Sequence, residues 1–157
     1  MKRLATCLCG ETIVTCQGDP LIHVQCSCRA CQKMYGAPSA YLIYYASEQV
    51  SFEGNLKTFK RDAIIGDGPT LHLCNNCGST VFTDVGWTKE ALGLDVRAIP
   101  YGVFENPDFD APKIAVWNRY LPGWLESSAP ADCTMEEQPE TLAEFRETSV
   151  QFGILSC

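Results

Sequence analysis

No stretch of this chain approaches the eighteen or so consecutive apolar residues of a membrane-spanning helix. The opening segment, MKRLATCLCGETIV, carries two basic residues but no apolar run of signal-peptide length. Positive charge is also short, with 12 Lys and Arg against 19 Asp and Glu and a formal net charge of −7. A nucleic-acid binder would carry a strong basic patch, so that class is set aside along with membrane proteins. Histidine is scarce, with only His23 and His72. There is no internal repeat and no low-complexity tract. These absences leave a single globular domain of ordinary apolar content, 46%, in a reducing, cytoplasmic setting as the expectation.

The remaining charge is unevenly placed. Residues 126–157 hold seven acids (Glu126, Asp132, Glu136, Glu137, Glu140, Glu144, Glu147) and one base, Arg146. Residues 1–125 hold twelve acids and eleven bases, and within them residues 1–61 are mildly basic, with seven bases against four acids. A nearly neutral body of that kind is compatible with a small anionic substrate. The chain therefore divides into a domain over 1–125 and an acidic linker plus C-terminal helix over 126–157.

Short β-type runs separated by turn signals dominate the body. ETIVTCQ precedes the turn GDP, LIHVQC follows it, and SAYLIYYA is rich in β-branched and aromatic residues. QVSFEG, NLKTFKR, TLHLC, STVFTDV, GLDVRAIPYGVF and KIAVWNRY continue the series. Helices are expected only over residues 28–35 and in PETLAEFRETSVQF, where Pro139 stands near the start and Leu142, Phe145 and Val150 share one side. The fold class is mainly β, with about eight short strands and one or two short helices.

What the chain has in abundance is cysteine, ten residues in all. In a reducing setting that argues for metal ligation over disulfides. CNNCG (Cys74, Cys77) places two thiols on a turn with a trailing glycine that permits positive φ, and CLCG (Cys7, Cys9) ends in the same way. Together these pairs make a closed tetrahedral site, which leaves Cys26, Cys28 and Cys31 of CSCRAC as a second set with one coordination position open. A competing arrangement joins Cys28-x-x-Cys31 to Cys74-x-x-Cys77 as a zinc ribbon. The separation between those pairs is longer than the ~15–20 residues usual between ribbon knuckles, but spacing alone does not exclude it.

CLCG, CSCRAC and CNNCGS, in this order and at these separations, resemble the glutathione-dependent formaldehyde-activating enzyme family, which also includes centromere-protein-V-like proteins. The resemblance runs over roughly residues 4–125 and extends to LDVRAIPYG and VWNRYLPGWL. It implies a β-tent of antiparallel sheets pinched by zinc on Cys7, Cys9, Cys74 and Cys77. Cys26, Cys28 and Cys31 would hold a second, catalytic zinc with an open position. It further implies carbon–sulfur lyase chemistry on S-(hydroxymethyl)glutathione, the adduct of a glutathione-like thiol and a small aldehyde, formaldehyde. Arg29 and Lys33, one helical turn apart beside the ligands, are the candidates for a substrate carboxylate. The chain departs from the family pattern at Ser27, where histidine is frequent, and in its acidic tail.

Two other function classes compete. A non-catalytic, zinc-stabilised binding module would need a fourth ligand for the second site, and Cys16 or His23 lies near enough in sequence. Against that, His23 and His72 both read as packed strand residues. A thiol-redox function would use Cys133 or Cys157, but the acids near Cys133 disfavour its thiolate.

Overall fold

The computed structural model describes residues 1–153, so Cys157 lies outside the described residues. Three strands, β1 (Lys2–Thr6), β2 (Ile13–Gln17) and β5 (Val50–Glu53), form a small antiparallel sheet in the order β1-β2-β5. A larger sheet contains β3 (Ile22–Cys26), β4 (Ala40–Ala46), β6 (Leu56–Lys60) and β7 (Thr70–Cys74). β8 (Thr80–Asp84), β9 (Val96–Pro100) and β10 (Ile114–Val116) complete it in the order β10-β3-β4-β9-β8-β7-β6. The expected β architecture is present. The strand absent from the sequence reading is β1, whose KRLAT alternates too few apolar residues to signal a strand. One pairing departs from the antiparallel rule: β10 runs parallel to β3.

Central strand β4 explains the layering. Its side chains alternate between faces, as a pleated strand requires. Ile43 and Tyr45 point into the core shared with the small sheet, where they meet Val14, Cys16 and, from β9, Ile99. Leu42 faces the other way, with Ala98 of β9 and Val85, toward Cys26 and Cys31. Both faces of the large sheet are therefore covered, one by the small sheet and the other by helices and loops. Arg97 adds a polar tie between the sheets: its Nη1 donates to the Val50 carbonyl at 2.8 Å and its Nε to Asp84 at 3.0 Å.

Helix α1 (Arg29–Tyr35) stands where a helix was expected. Helix α3 (Leu142–Gln151) occupies the expected C-terminal segment, capped by the Thr141 side chain accepting from the Glu144 amide. Its inward face differs from the expectation. Leu142, Phe145, Thr148 and Ser149 turn inward while Val150 is exposed, which is the i, i+3, i+7 spacing of a helical stripe. A further short helix, α2 (Thr88–Leu92), was not anticipated because TKEAL is too brief to show periodicity. Phe145 packs on Trp87 at 4.1 Å between ring centroids, which seats α3 beside α2 on the outer face of the large sheet. No helix among the described residues is long and apolar enough to cross a membrane.

Candidate metal centres and the adjoining cavity

The sulfurs of Cys7, Cys9, Cys74 and Cys77 all lie within 4.8 Å of one another. Cys7 and Cys9 follow the end of β1, Cys74 ends β7, and Cys77 sits in the turn to β8, so the group links the small sheet to the large one. Zn–S bonds of about 2.3 Å in a tetrahedron require S···S edges of about 3.8 Å. The observed separations of 3.5 Å (Cys7–Cys9) and 3.7 Å (Cys9–Cys74) fit that requirement.

The backbone around these sulfurs is arranged for negative charge. Gly10 (φ 78°) and Gly78 (φ 76°) take the left-handed turn after each pair. The Thr12 amide donates to Cys7 Sγ at 3.2 Å, and the Ser79 hydroxyl lies 3.3 Å from Cys77 Sγ. Contact with the Ser79 side chain and then its backbone draws the Cys77 thiol down to about 5. A donor set of four thiols with amide support suits zinc.

Cys26, Cys28 and Cys31 form the second group, again with all sulfurs within 4.8 Å. Cys26 ends β3, Cys28 is the N-cap of α1, and Cys31 lies one turn into that helix. The Cys28 sulfur accepts the Cys31 amide at 3.3 Å, so one side chain both caps the helix and faces the cluster. Sulfur contacts with Cys26 and then Cys31 pull the Cys28 thiol down to about 2, while contact with Cys28 foremost pushes Cys26 up to about 12. Metal binding at such a triplet requires the thiolates, so an incoming cation would displace the thiol protons.

The structure separates the two clusters that a zinc ribbon would merge: Cys74 and Cys77 group with Cys7 and Cys9, not with Cys28 and Cys31. It also brings no fourth ligand to the triplet among the described residues. Cys16 is buried in the inter-sheet core. His23 donates from Nδ1 to the Asp110 carbonyl at 2.8 Å and stacks on Tyr101, and burial lowers its pKa. His72 meets Asp84 at 2.7 Å and stacks on Phe82. Cys133 belongs to neither cluster, and burial, followed by Asp132, raises its thiol pKa.

The three-sulfur group borders a cavity of about 420 Å³. Its floor is the outer face of the large sheet, including Leu42, Tyr44, Thr83 and Ala98. Arg29 borders it from α1, whereas Lys33 is exposed and outside its lining. Sequence reasoning missed Arg61, Tyr35, Trp87 and Trp117, which also border it. Arg61 lies in an irregular loop whose path no periodicity reveals. Trp117 carries a different signal, as the only non-glycine with positive φ among the described residues (61°). Its Nε1 donates to Gln138 at 3.0 Å, which ties the strained backbone to the C-terminal segment. Burial holds the Tyr35 phenol above its ordinary pKa, with the Thr83 side chain pulling the other way.

Comparison with curated proteins finds no match. Among solved structures, the crystal structure of a Rhodobacter sphaeroides protein, a Northeast Structural Genomics target, is similar with a TM-score of 0.50 and 16% identity. The match covers 68% of this chain and 89% of that one, and at such identity it speaks to the fold alone. A family model is more informative: the one described as glutathione-dependent formaldehyde-activating enzyme matches residues 2–120. That span contains both cysteine clusters and nearly the whole segment over which the sequence motifs carry the resemblance. The chain belongs to the glutathione-dependent formaldehyde-activating enzyme family.

Proposed function

We propose that this protein is a carbon–sulfur lyase-type enzyme that forms and cleaves the adduct of a glutathione-like thiol with a small aldehyde, as in S-(hydroxymethyl)glutathione. The carrying observation is a three-sulfur group that has no fourth protein ligand among the described residues and opens on a cavity. Cys7, Cys9, Cys74 and Cys77 would hold a structural zinc, and Cys26, Cys28 and Cys31 a second zinc. Bound there, zinc supplies a Lewis acid that keeps a thiol ionised at neutral pH, where a free thiol of pKa ~8.5 is mostly protonated.

The protein's own groups set the rest. Three cysteinates make the surroundings electron-rich, which favours a nucleophilic substrate sulfur over a strongly electrophilic metal. Arg29 at the cavity edge offers its guanidinium to a substrate carboxylate, and Arg61 adds a second positive charge. In the forward direction a sulfur lone pair forms the C–S bond and the carbonyl π pair moves to oxygen. The oxygen then takes up the proton that the thiol released. In this reading residues 1–125 form the zinc-binding unit and 126–157 an appended acidic segment. Free thiols in such number suit a reducing compartment, the cytoplasm.

Calorimetry in buffers of different ionisation enthalpy tests the reading. Glutathione should bind with release of about one proton near neutral pH. S-methylglutathione keeps the carboxylates and ammonium but cannot form the thiolate, and it should bind much more weakly. Equal affinity without proton release would leave a non-catalytic, zinc-stabilised module as the better description.

A further inference from the structure

The cavity over Cys26, Cys28 and Cys31 is both larger and more apolar than formaldehyde requires. Formaldehyde has two heavy atoms, on the order of one or two water volumes at about 30 Å³ each. The cavity holds about 420 Å³, a size that takes a ligand with a substantial body. No acidic side chain borders it. A glutathione ammonium therefore finds no partner inside, and the charged ends of such a thiol belong at the mouth, near Arg29. The interior calls for something apolar.

Among the polar atoms of the lining, three stand out. Tyr35 Oη and Thr83 Oγ1 lie near enough for Thr83 to act on the phenol, yet neither of them nor Arg61 Nε makes a hydrogen bond; all three atoms are buried, and their residues border this one cavity. Buried polar groups are normally paired, so three unpaired ones in one chamber mark a position for a ligand atom. Each can donate a hydrogen bond, and a carbonyl or carbinol oxygen accepts several.

The far wall comes from outside the family domain. The family match ends at residue 120, yet Gln138, Pro139, Phe145, Thr148 and Ser149 border the cavity. Phe145 packs on Trp87, and Gln138 accepts from Trp117. The C-terminal segment, beyond the family match, therefore contributes a wall of the site.

We infer that the cavity binds the apolar body of an aryl or alkyl aldehyde larger than formaldehyde, with its oxygen held by Tyr35, Thr83 and Arg61 and its length limited by α3. The inference deepens the proposed reaction and rests on it for the reacting sulfur. The aldehyde carbon faces the three-cysteine group, the thiol sulfur adds to it, and the π pair goes to the oxygen among the three donors. That oxygen takes the thiol's proton. The adduct contains every atom of the two reactants, and no oxidant or reductant is needed.

Primary alcohols are unreactive probes of the same carbinol geometry. Quenching of tryptophan fluorescence in the full-length, zinc-loaded protein would follow their binding, because Trp87 and Trp117 border the cavity. Affinity should rise about fourfold for each added methylene from ethanol upward, until the cavity is filled. Benzyl alcohol should bind at least tenfold more tightly than ethanol. Tyr35→Phe, which deletes only the hydroxyl, should weaken every alcohol about equally. Phe145→Leu should favour the longest ones selectively, and circular dichroism would confirm that α3 remains docked. In parallel, adduct formation between glutathione and formaldehyde, butanal or benzaldehyde would be followed by NMR exchange. The larger aldehydes should show the higher kcat/KM by at least tenfold.

The outcomes separate the two readings. Affinity and kcat/KM indifferent to the size of the apolar body would overturn the cavity assignment while leaving formaldehyde chemistry intact. Length-dependent alcohol binding that is weakened in Tyr35→Phe, without turnover of any aldehyde, would support the cavity's ligand class and sink the reaction. Unchanged binding in both variants would remove the assigned oxygen site and wall.

Discussion

Two serine substitutions that look equivalent on paper should have opposite consequences. Cys74→Ser removes one of the four sulfurs linking the sheets, at a position that is 1% exposed. Structural zinc contributes about 10–16 kcal/mol of apparent binding energy in small zinc-dependent folds. That equals or exceeds the 5–15 kcal/mol net stability of a typical domain. Cys74→Ser should therefore lose cooperative thermal unfolding altogether. Cys28→Ser removes a sulfur from the other group, but serine is itself a strong N-cap and can still accept the Cys31 amide that Cys28 accepts at 3.3 Å. Helix α1 should survive. The cost is then at most the linkage contribution of one ion, about 3–4 kcal/mol at 100 to 1,000 times its dissociation constant. At about 2–4 °C per kcal/mol the melting temperature falls by no more than ~15 °C, with the transition still cooperative. Scanning calorimetry with metal analysis by mass spectrometry would give both numbers. One zinc per Cys28→Ser chain and a single sharp transition is the expected result. Loss of the transition in both variants would show that both groups are structural, and its retention in both would refute the pinning role of the four-cysteine site.

Other consequences follow from the same geometry. Burial lowers the His23 pKa below the ordinary ~6.5, so its proton favours the unfolded chain. Its contribution to stability is complete above that pH and is lost as pH falls through the lowered folded value. Unfolding free energies from urea titrations of the wild type and His23→Phe should converge as pH falls below about 6.5, by up to about 1.4 kcal/mol per pH unit, and a constant difference would contradict the assignment. Truncation after Leu125 should leave the metal content unchanged, and a lost ion would implicate Cys133 or Cys157. The same truncation removes the Ser128 amide that Gln25 accepts at 2.8 Å and opens the cavity, so a fall in melting temperature of several degrees should accompany it.

The β class was legible in the short runs because strand period and turn chemistry are local properties of the chain. The cysteine pairs were equally legible, since a two-residue spacing with a trailing glycine constrains the turn wherever it sits. Which pairs meet was not. Cys74 joins Cys9 rather than Cys31 because the loop after β1 meets the turn after β7, where the Leu8 amide donates to Ser79 Oγ and Asn76 Nδ2 donates to Glu11, contacts between segments far apart in sequence. Cys16 and His23 lie close to the triplet in sequence but are directed elsewhere, Cys16 into the core between the sheets and His23 onto Tyr101 and the Asp110 carbonyl. The C-terminal segment read as an acidic appendage, because charge dominates its composition. Only the packing of Phe145 on Trp87 and the bond from Trp117 to Gln138 make it a wall of the cavity. Local chemistry determined which candidate ligands and strands this chain possesses. Long-range packing, in which each contact depends on the placement of elements remote in sequence, decided that three cysteines face an apolar chamber with three unpaired donors.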